Sequence, residues 1–474
     1  MLRNCWLLLV ACSCVASTFA QTTATAPAQT SAPARPQFTA IRVPDGAMNI
    51  DGRFDDWARM GSQTFNRCRT APDTARLWSL ADESRGKYMG DRDCGVVLFF
   101  AHDSINLYIL AFVQDQFLTN TAGEHNPHEG DDFELFIDAN AADHRFADKV
   151  NENVRQYILV PANVNLKWSE PYIWTSNKQA DKPKVATRLL PFGYAIEIAI
   201  PKASFPYWKE HPELDAIGFD GMITDADAPG IDIHHPAMKG ALYFGTAERH
   251  VTSPKHLSLL KLEAEPVTLT AAKPTTMPTA KEMLDQLAAK TRGSAVMLVA
   301  MRVLDMIDDA KAADVASAAI GHESTQVQKA GLQILAQRPK LDAPVEKIVD
   351  VVKTMAVKED LDSQSAAQYG LVALAVRKKM PVADLKDACL KTNDPALVLT
   401  YAWCCGINGD KAATPILADL LKNNKNPRVQ MMAALAMGLL QDKAAIEPLT
   451  QAKSDPNGDV QRQVKDSLKK LGAP

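Results

Sequence analysis

The sequence lacks the marks of most enzymes and of most nucleic-acid binders. It contains no G-x-S-x-G elbow for a serine nucleophile and no glycine-rich phosphate loop. None of its 8 cysteines has CxxC spacing, which removes the usual structural zinc arrangement. Lys and Arg (52) do not outnumber Asp and Glu (56), and a net charge of −4 offers no basic face to nucleic acid. Its Asp-rich turns do not follow the EF-hand spacing. After the N-terminal run, no segment is apolar for long enough to span a bilayer.

What is present begins with an export signal. Arg3 supplies the positive charge, "WLLLVACSCVA" the apolar run, and Thr18-Phe19-Ala20 the small-residue cleavage pattern, so residues 1–20 read as a signal peptide. Leu9-Val10-Ala11-Cys12 also reads as a bacterial lipobox, which would leave Cys12 as a lipid anchor. Either way the expected location is periplasmic or extracellular. Of the cysteines that remain, Cys68 and Cys94 share polar, turn-rich sequence and are the candidate disulfide in an oxidising compartment. Cys389, Cys404 and Cys405 lie in helical sequence and read as small core residues.

Two Thr-, Ala- and Pro-rich stretches, 21–37 and 264–280, read as linkers and divide the chain. Between them, residues 38–263 hold "GVVLFFAH", "NLYILAFVQD", "DDFELFID", "RQYILVPA", "YAIEIAIP" and "AIGFDGMITDAD". These are β-branched and aromatic runs bounded by turn residues, with no helical pattern between them, and they predict an all-β antiparallel sandwich. Residues 281–474 repeat instead. "GDKAATPILADLLK" (409–422) recurs as "QDKAAIEPLTQAKS" (441–454), and "NDPALVLTYAWCCGI" (393–407) as "KNPRVQMMAALAMGL" (425–439), each 32 residues on. Helix pairs at that period predict an α-solenoid.

Candidate site residues cluster in the β block. In "HNPHEGDDFELFID" (125–138), the period of two places Phe133, Leu135 and Ile137 toward a core and Asp132, Glu134 and Asp138 toward solvent or a ligand. Glu134, Glu197 and Asp220 each hold a polar strand position and would line one face if their strands were neighbours. Such carboxylates suit hydrogen bonds to a ligand, or an acid pair for glycoside hydrolysis. Asp225 and Asp227 in "DADAPGID" are the oxygen donors expected of a calcium site. The histidines at 125, 128, 234, 235, 250 and 256 lack a fixed helical spacing and read as exposed loop imidazoles.

Taken in order, "MNIDGRFDDWA", "INLYILAFVQD", "GDDFELFID", "YAIEIAIPKASF" and "IGFDGMITDAD" resemble the family 9 carbohydrate-binding modules over residues 40 to 263. The helical block resembles short bacterial HEAT repeats. The first resemblance implies a sugar held between two aromatic platforms, with polar side chains bonding its hydroxyls. It places His128 at the first platform, His250 nearest the second, and Glu134 at the charged strand position. This sequence departs from the family in having no tryptophan at either platform and no matching arginine and asparagine on the strand after Glu134. The expectation is non-catalytic glycan binding, with a protein partner on the repeats. The contrasting readings are a protein-interaction scaffold with a degenerate sugar site, or the accessory part of a glycoside hydrolase.

Overall fold

In the computed structural model the described residues are 37–52, 54–61, 76–79, 93–120, 130–141, 153–161, 171–176, 182–190, 193–230, 240–243, 257–270, 309–392 and 394–473. The predicted signal peptide lies outside them, as does most of the first linker.

The β region is one sheet curled into two facing layers. Its strands are β1 (Gln37–Arg42), β2 (Arg76–Ser79), β3 (Cys94–His102), β4 (Asn106–Asp115), β5 (Asp132–Asp138) and β6 (Val154–Val160). They continue as β7 (Tyr172–Thr175), β8 (Lys184–Leu190), β9 (Gly193–Pro201), β10 (Ala216–Asp225), β11 (Gly240–Tyr243) and β12 (Ser258–Leu262). The order is β7-β6-β5-β10-β12-β1-β3-β4-β9-β8, with β11 and then β2 attached to β10. All six runs picked out by their β-branched and aromatic content form strands. Pairing is antiparallel except at β1, whose first four residues run parallel to β12 and whose last two run parallel to β3. That change of partner carries the chain from one layer to the other.

β4 is apolar on both faces, and the fold uses both. Leu107, Ile109, Ala111 and Val113 fill the core between the layers with residues of β3, β5, β9 and β10. Tyr108, Leu110 and Phe112 face outward, under a second cluster built from Met48, Ile50, Phe54 and Trp57. Each such aliphatic side chain taken from water contributes about 1.5–3 kcal/mol. Residues 264–270, the described part of the stretch 264–280 read as linker, lie along this outer cluster. Val267 N donates to Arg42 O and Thr270 N to Arg59 O, both at 2.9 Å, while Val267 and Leu269 pack on the apolar residues below.

Among the described residues, two short helices, α1 (Asp55–Ala58) and α2 (Pro206–Glu210), belong to the β region, and ten more follow it. These are α3 (Asp309–Ile320), α4 (Thr325–Gln337), α5 (Val345–Met355), α6 (Leu361–Val376), α7 (Val382–Leu390) and α8 (Pro395–Asn408). The last four are α9 (Thr414–Asn423), α10 (Pro427–Leu440), α11 (Ile446–Gln451) and α12 (Gly458–Lys470). The sequence repeat is a structural one: α8 and α10 start 32 residues apart, each with Pro at its first position. Asp394 Oδ1 accepts from Ala396 N and Asn426 Oδ1 from Arg428 N, so both helices are capped alike.

Gly406 and Gly438 occupy the same place in successive repeats, and their neighbours differ. A Cβ on Gly406 would stand 2.8 Å from Ala436 Cα and 2.9 Å from its carbonyl oxygen, backbone atoms that cannot swing aside. A Cβ on Gly438 would meet the Ser467 side chain at 3.0 Å. Alanine gains about 1 kcal/mol of helix propensity at either position, against an overpacking cost of about 1–3 kcal/mol. Gly406→Ala is therefore expected to lower the urea midpoint of the helical region, and Gly438→Ala to leave it nearly unchanged. Equal midpoints for the two variants would contradict this packing.

The two regions meet through α6. Phe117, just after β4, and Ala228, just after β10, belong to the same apolar cluster as the helices. The rings of Phe117 and Tyr369 lie 4.9 Å apart, and Leu118 N donates to Tyr369 Oη at 3.0 Å. Gln368 Nε2 donates to Asp227 O at 2.6 Å. No described helix is long and apolar enough to cross a membrane.

Candidate functional site

β5 alternates as its pattern requires. Phe133, Leu135 and Ile137 enter the core between the layers, which leaves Asp132, Glu134, Phe136 and Asp138 on the opposite face. Register then decides what joins them. Glu134 stands opposite Met222 of β10 and Ile158 of β6, Asp132 opposite Thr224, and Phe136 between Asp220 and Gln156. Asp220 and Gln156 therefore share the face of Glu134. Beyond β6, Ile158 pairs with Trp174 and Val160 with Tyr172, adding two half-buried aromatic residues. On the other flank Met222 pairs with Tyr243, which pairs with Arg76, and Ala241 pairs with Trp78.

The acids of this face are buried, with Asp132 0%, Glu134 2% and Asp220 1% exposed, while Tyr172 and Trp174 at its edge are partly exposed. Burial governs Asp132 and Glu134. It pushes Glu134 up to about 7, against the lowering effect of Gln156, whose Nε2 donates to Glu134 Oε2 at 2.7 Å. Burial and then the Glu134 charge hold Asp132 well above the usual carboxylate range, so the two titrate as a pair. Among the described residues, neither carboxylate oxygen of Asp132 has a hydrogen-bond partner of normal geometry. The Thr224 hydroxyl works against the rise at Asp132, but its proton goes to Gly130 O at 2.5 Å, and its oxygen accepts from Asp132 N at 3.0 Å.

Asp131, one residue before β5, has a different task. Its Oδ1 accepts from Ala226 N at 2.6 Å and its Oδ2 from Thr119 N at 2.5 Å, while its own N donates to Thr119 O at 2.9 Å. It ties the segment after β4 to the segment after β10. Close by, Asp93, Asp225 and Asp227 present carboxylate oxygens all within 4.8 Å of one another, and all three are buried. The structure thus brings the two sequence candidates for calcium together and adds Asp93. Three hard anionic oxygens suit calcium in kind, although that ion takes six to eight donors.

Glu197 does not join Glu134 and Asp220. It lies on β9 in the other layer, opposite Leu110, and faces the outer cluster. Its Oε2 accepts from Asp51 N and Gly52 N, each at 3.0 Å, and its Oε1 from Trp57 Nε1 at 2.9 Å. Burial raises its pKa, and those three donors oppose the rise. The carboxylate thus anchors the "IDGRFDDW" segment on the sheet. His128, His250 and Cys68 lie outside the described residues; Cys94 is buried at the first position of β3.

Three residues of the acidic face were not singled out in the sequence as ligand contacts: Asp132, Gln156 and Trp174. Gln156 was within reach. It sits in "RQYILV", read as apolar where the family has polar residues, yet counting back by two from Ile158 puts it on Glu134's face. Asp132 was legible as polar but not as partnerless. Trp174, in a four-residue strand, carried too little periodicity to place.

Residues 86–239 match the family model described as carbohydrate family 9 binding domain-like, and residues 382–469 match HEAT repeats. No curated protein matches the chain. Among solved structures, the chain is similar to a family 9 carbohydrate-binding module from Caldicellulosiruptor kristjanssonii in complex with cellotriose. The identity is 18% over 48% of this chain and 94% of that one, with a TM-score of 0.33. It is also similar to a family 9 module from the same organism in complex with glucose, at 16% identity over 49% of this chain and 99% of that one, with a TM-score of 0.34. The chain therefore carries a carbohydrate family 9 binding domain-like β region, followed by HEAT repeats.

Proposed function

We propose that this is an exported, non-catalytic glycan-binding protein whose β region takes a sugar on the Asp132–Glu134 face. The observation that carries the reading is Asp132: a buried carboxylate beside Glu134, with two oxygens to which no described residue donates a hydrogen bond of normal geometry. Sugar hydroxyls are the donors such oxygens lack, and hydrogen bonds to a charged acceptor are each worth about 1.5–3 kcal/mol. Gln156 fixes Glu134 and keeps a carbonyl oxygen of its own as a further acceptor. Trp174, and Tyr172 at the next outward position of β7, offer ring faces to the apolar C–H side of a pyranose. The family 9 match supports this ligand class.

The N-terminal signal pattern supports export, and the repeats, a surface built by stacking helix pairs, support a protein partner. Calcium at Asp93, Asp225 and Asp227 belongs to the same reading as a structural ion, apart from the sugar contacts. Calorimetry of the full chain against glucose, cellotriose and a panel of other oligosaccharides tests it. At least one is expected to bind with a Kd at or below about 1 mM, roughly −4 kcal/mol. The absence of heat from every sugar would leave the interaction-scaffold reading in its place.

A further inference from the structure

The contact between α6 and the β region falls on particular atoms. Leu118, whose N donates to Tyr369 Oη, is followed by Thr119, whose N donates to Asp131 Oδ2. Asp227, whose carbonyl accepts from Gln368 Nε2, follows Ala226, whose N donates to Asp131 Oδ1. One helix of the repeats thus grips two segments, and a single buried carboxylate joins the same two segments on their far side. The residue after Asp131 is Asp132, and Glu134 is two further on. The junction leaves little slack: a Cβ on Gly130 would lie 2.6 Å from the Asn120 side chain. Tyr369 is held in one protonation state throughout, since burial and then the nearby Asp115 and Asp131 keep its hydroxyl from ionising.

We propose that Tyr369 and Gln368 of the HEAT repeats are positioning residues for the ligand face of the β region, acting through Leu118–Thr119, Ala226–Asp227 and Asp131. The proposal rests on the sugar reading of that face. The route is a chain of short hydrogen bonds between buried groups, which resists small displacements more than a greasy contact does. Its consequence is reciprocal. A partner that shifts this arrangement on binding, and so changes the sugar affinity by some factor, must have its own affinity changed by sugar by the same factor. The two regions are then coupled parts of one binding device.

The test compares three full-length variants with the wild type, by amide hydrogen exchange and by sugar calorimetry. Tyr369→Phe removes the acceptor of Leu118 N and keeps the ring on Phe117. Gln368→Met removes the donor to Asp227 O, and with it the donor to Thr400 Oγ1 within the helices, at nearly constant volume. Arg377→Met is the control: Arg377 donates to the carbonyls of Leu335, Arg338, Leu341 and Ala373, all inside the repeats. Losing one such hydrogen bond is expected to speed exchange at Leu118, Thr119 and Ala226 by about three- to tenfold, and to weaken sugar binding by a similar factor, in the first two variants. Arg377→Met is expected to lower the unfolding midpoint of the repeats and to change neither quantity. Unchanged exchange at those amides in Tyr369→Phe overturns the proposal whatever the sugar does. Faster exchange with unchanged sugar affinity overturns the positioning role and leaves the sugar reading standing. Wild type that binds no sugar sinks that reading, and this proposal with it.

Discussion

Replacing Glu197 with alanine is expected to destabilise the β region by about 3–5 kcal/mol and to leave sugar affinity unchanged. The carboxylate is fully buried, and three donors converge on it: Asp51 N, Gly52 N and Trp57 Nε1. Each buried donor left without an acceptor costs about 1–3 kcal/mol, and the costs are less than additive because the freed segment relaxes. Trp57 is itself buried in the outer cluster with Phe54 and Ile50, so loosening its indole N–H loosens apolar packing as well. Glu197→Gln keeps one acceptor oxygen but turns an N–H₂ group toward the remaining donors, and is expected to fall between alanine and wild type. Urea unfolding followed by tryptophan fluorescence reads the loss, taken from the β-region transition because a chain of two regions need not unfold in one step. An unchanged midpoint together with lost sugar binding would move Glu197 from an anchor to a ligand contact.

Replacing Glu134 is expected to act the other way, on binding first. Glu134→Ala removes a charged acceptor on the proposed sugar face and should weaken binding tenfold or more, about 1.5–3 kcal/mol. The pH dependence is the sharper test. Burial raises Glu134 from an ordinary 4.5 to about 7, so near neutrality the carboxyl is partly protonated. Sugar hydroxyls donate, and they favour the ionised form. Affinity should therefore rise as pH climbs through about 7 and level off above it, and in Glu134→Gln the profile should flatten. Stability runs in the opposite sense. A carboxyl whose folded pKa is raised contributes most below its unfolded pKa of about 4.5, and that contribution is lost as pH rises through about 7. Because Asp132 titrates with Glu134, the midpoint belongs to the pair. Sugar affinity that is flat between pH 5.5 and 8 in the wild type, or equal in Glu134→Ala, would remove these carboxylates from the site.

How much of this was legible beforehand follows from which interactions are local. The alternation of "DDFELFID" and the two-faced "NLYILAFVQD" are properties of single strands, and both strands form as read, as do the other four runs. The 32-residue step in the helical block is likewise carried by the chain itself, since each repeat must present the same stripe to the next. The resemblance to family 9 modules and HEAT repeats was readable on the same grounds.

A period of two states which residues of a strand share a face, but not which layer the strand joins or what lies across from it. Glu134, Glu197 and Asp220 look alike in sequence. Strand order alone put β10 beside β5 and β9 beside β4, making Asp220 a neighbour of Glu134 and Glu197 the anchor of a distant segment. Both faces of β5 are buried as well, so Asp132 and Glu134, expected to meet solvent or a ligand, lie where burial raises their pKa. Tyr369 and Gln368 sit in a helix with no amphipathic stripe to mark an outward contact, because α6 is covered on nearly every side. Their partners lie 251 and 141 residues away in the chain. Contacts at such separations are set by how two completed regions fit together, and local sequence pattern does not encode that fit.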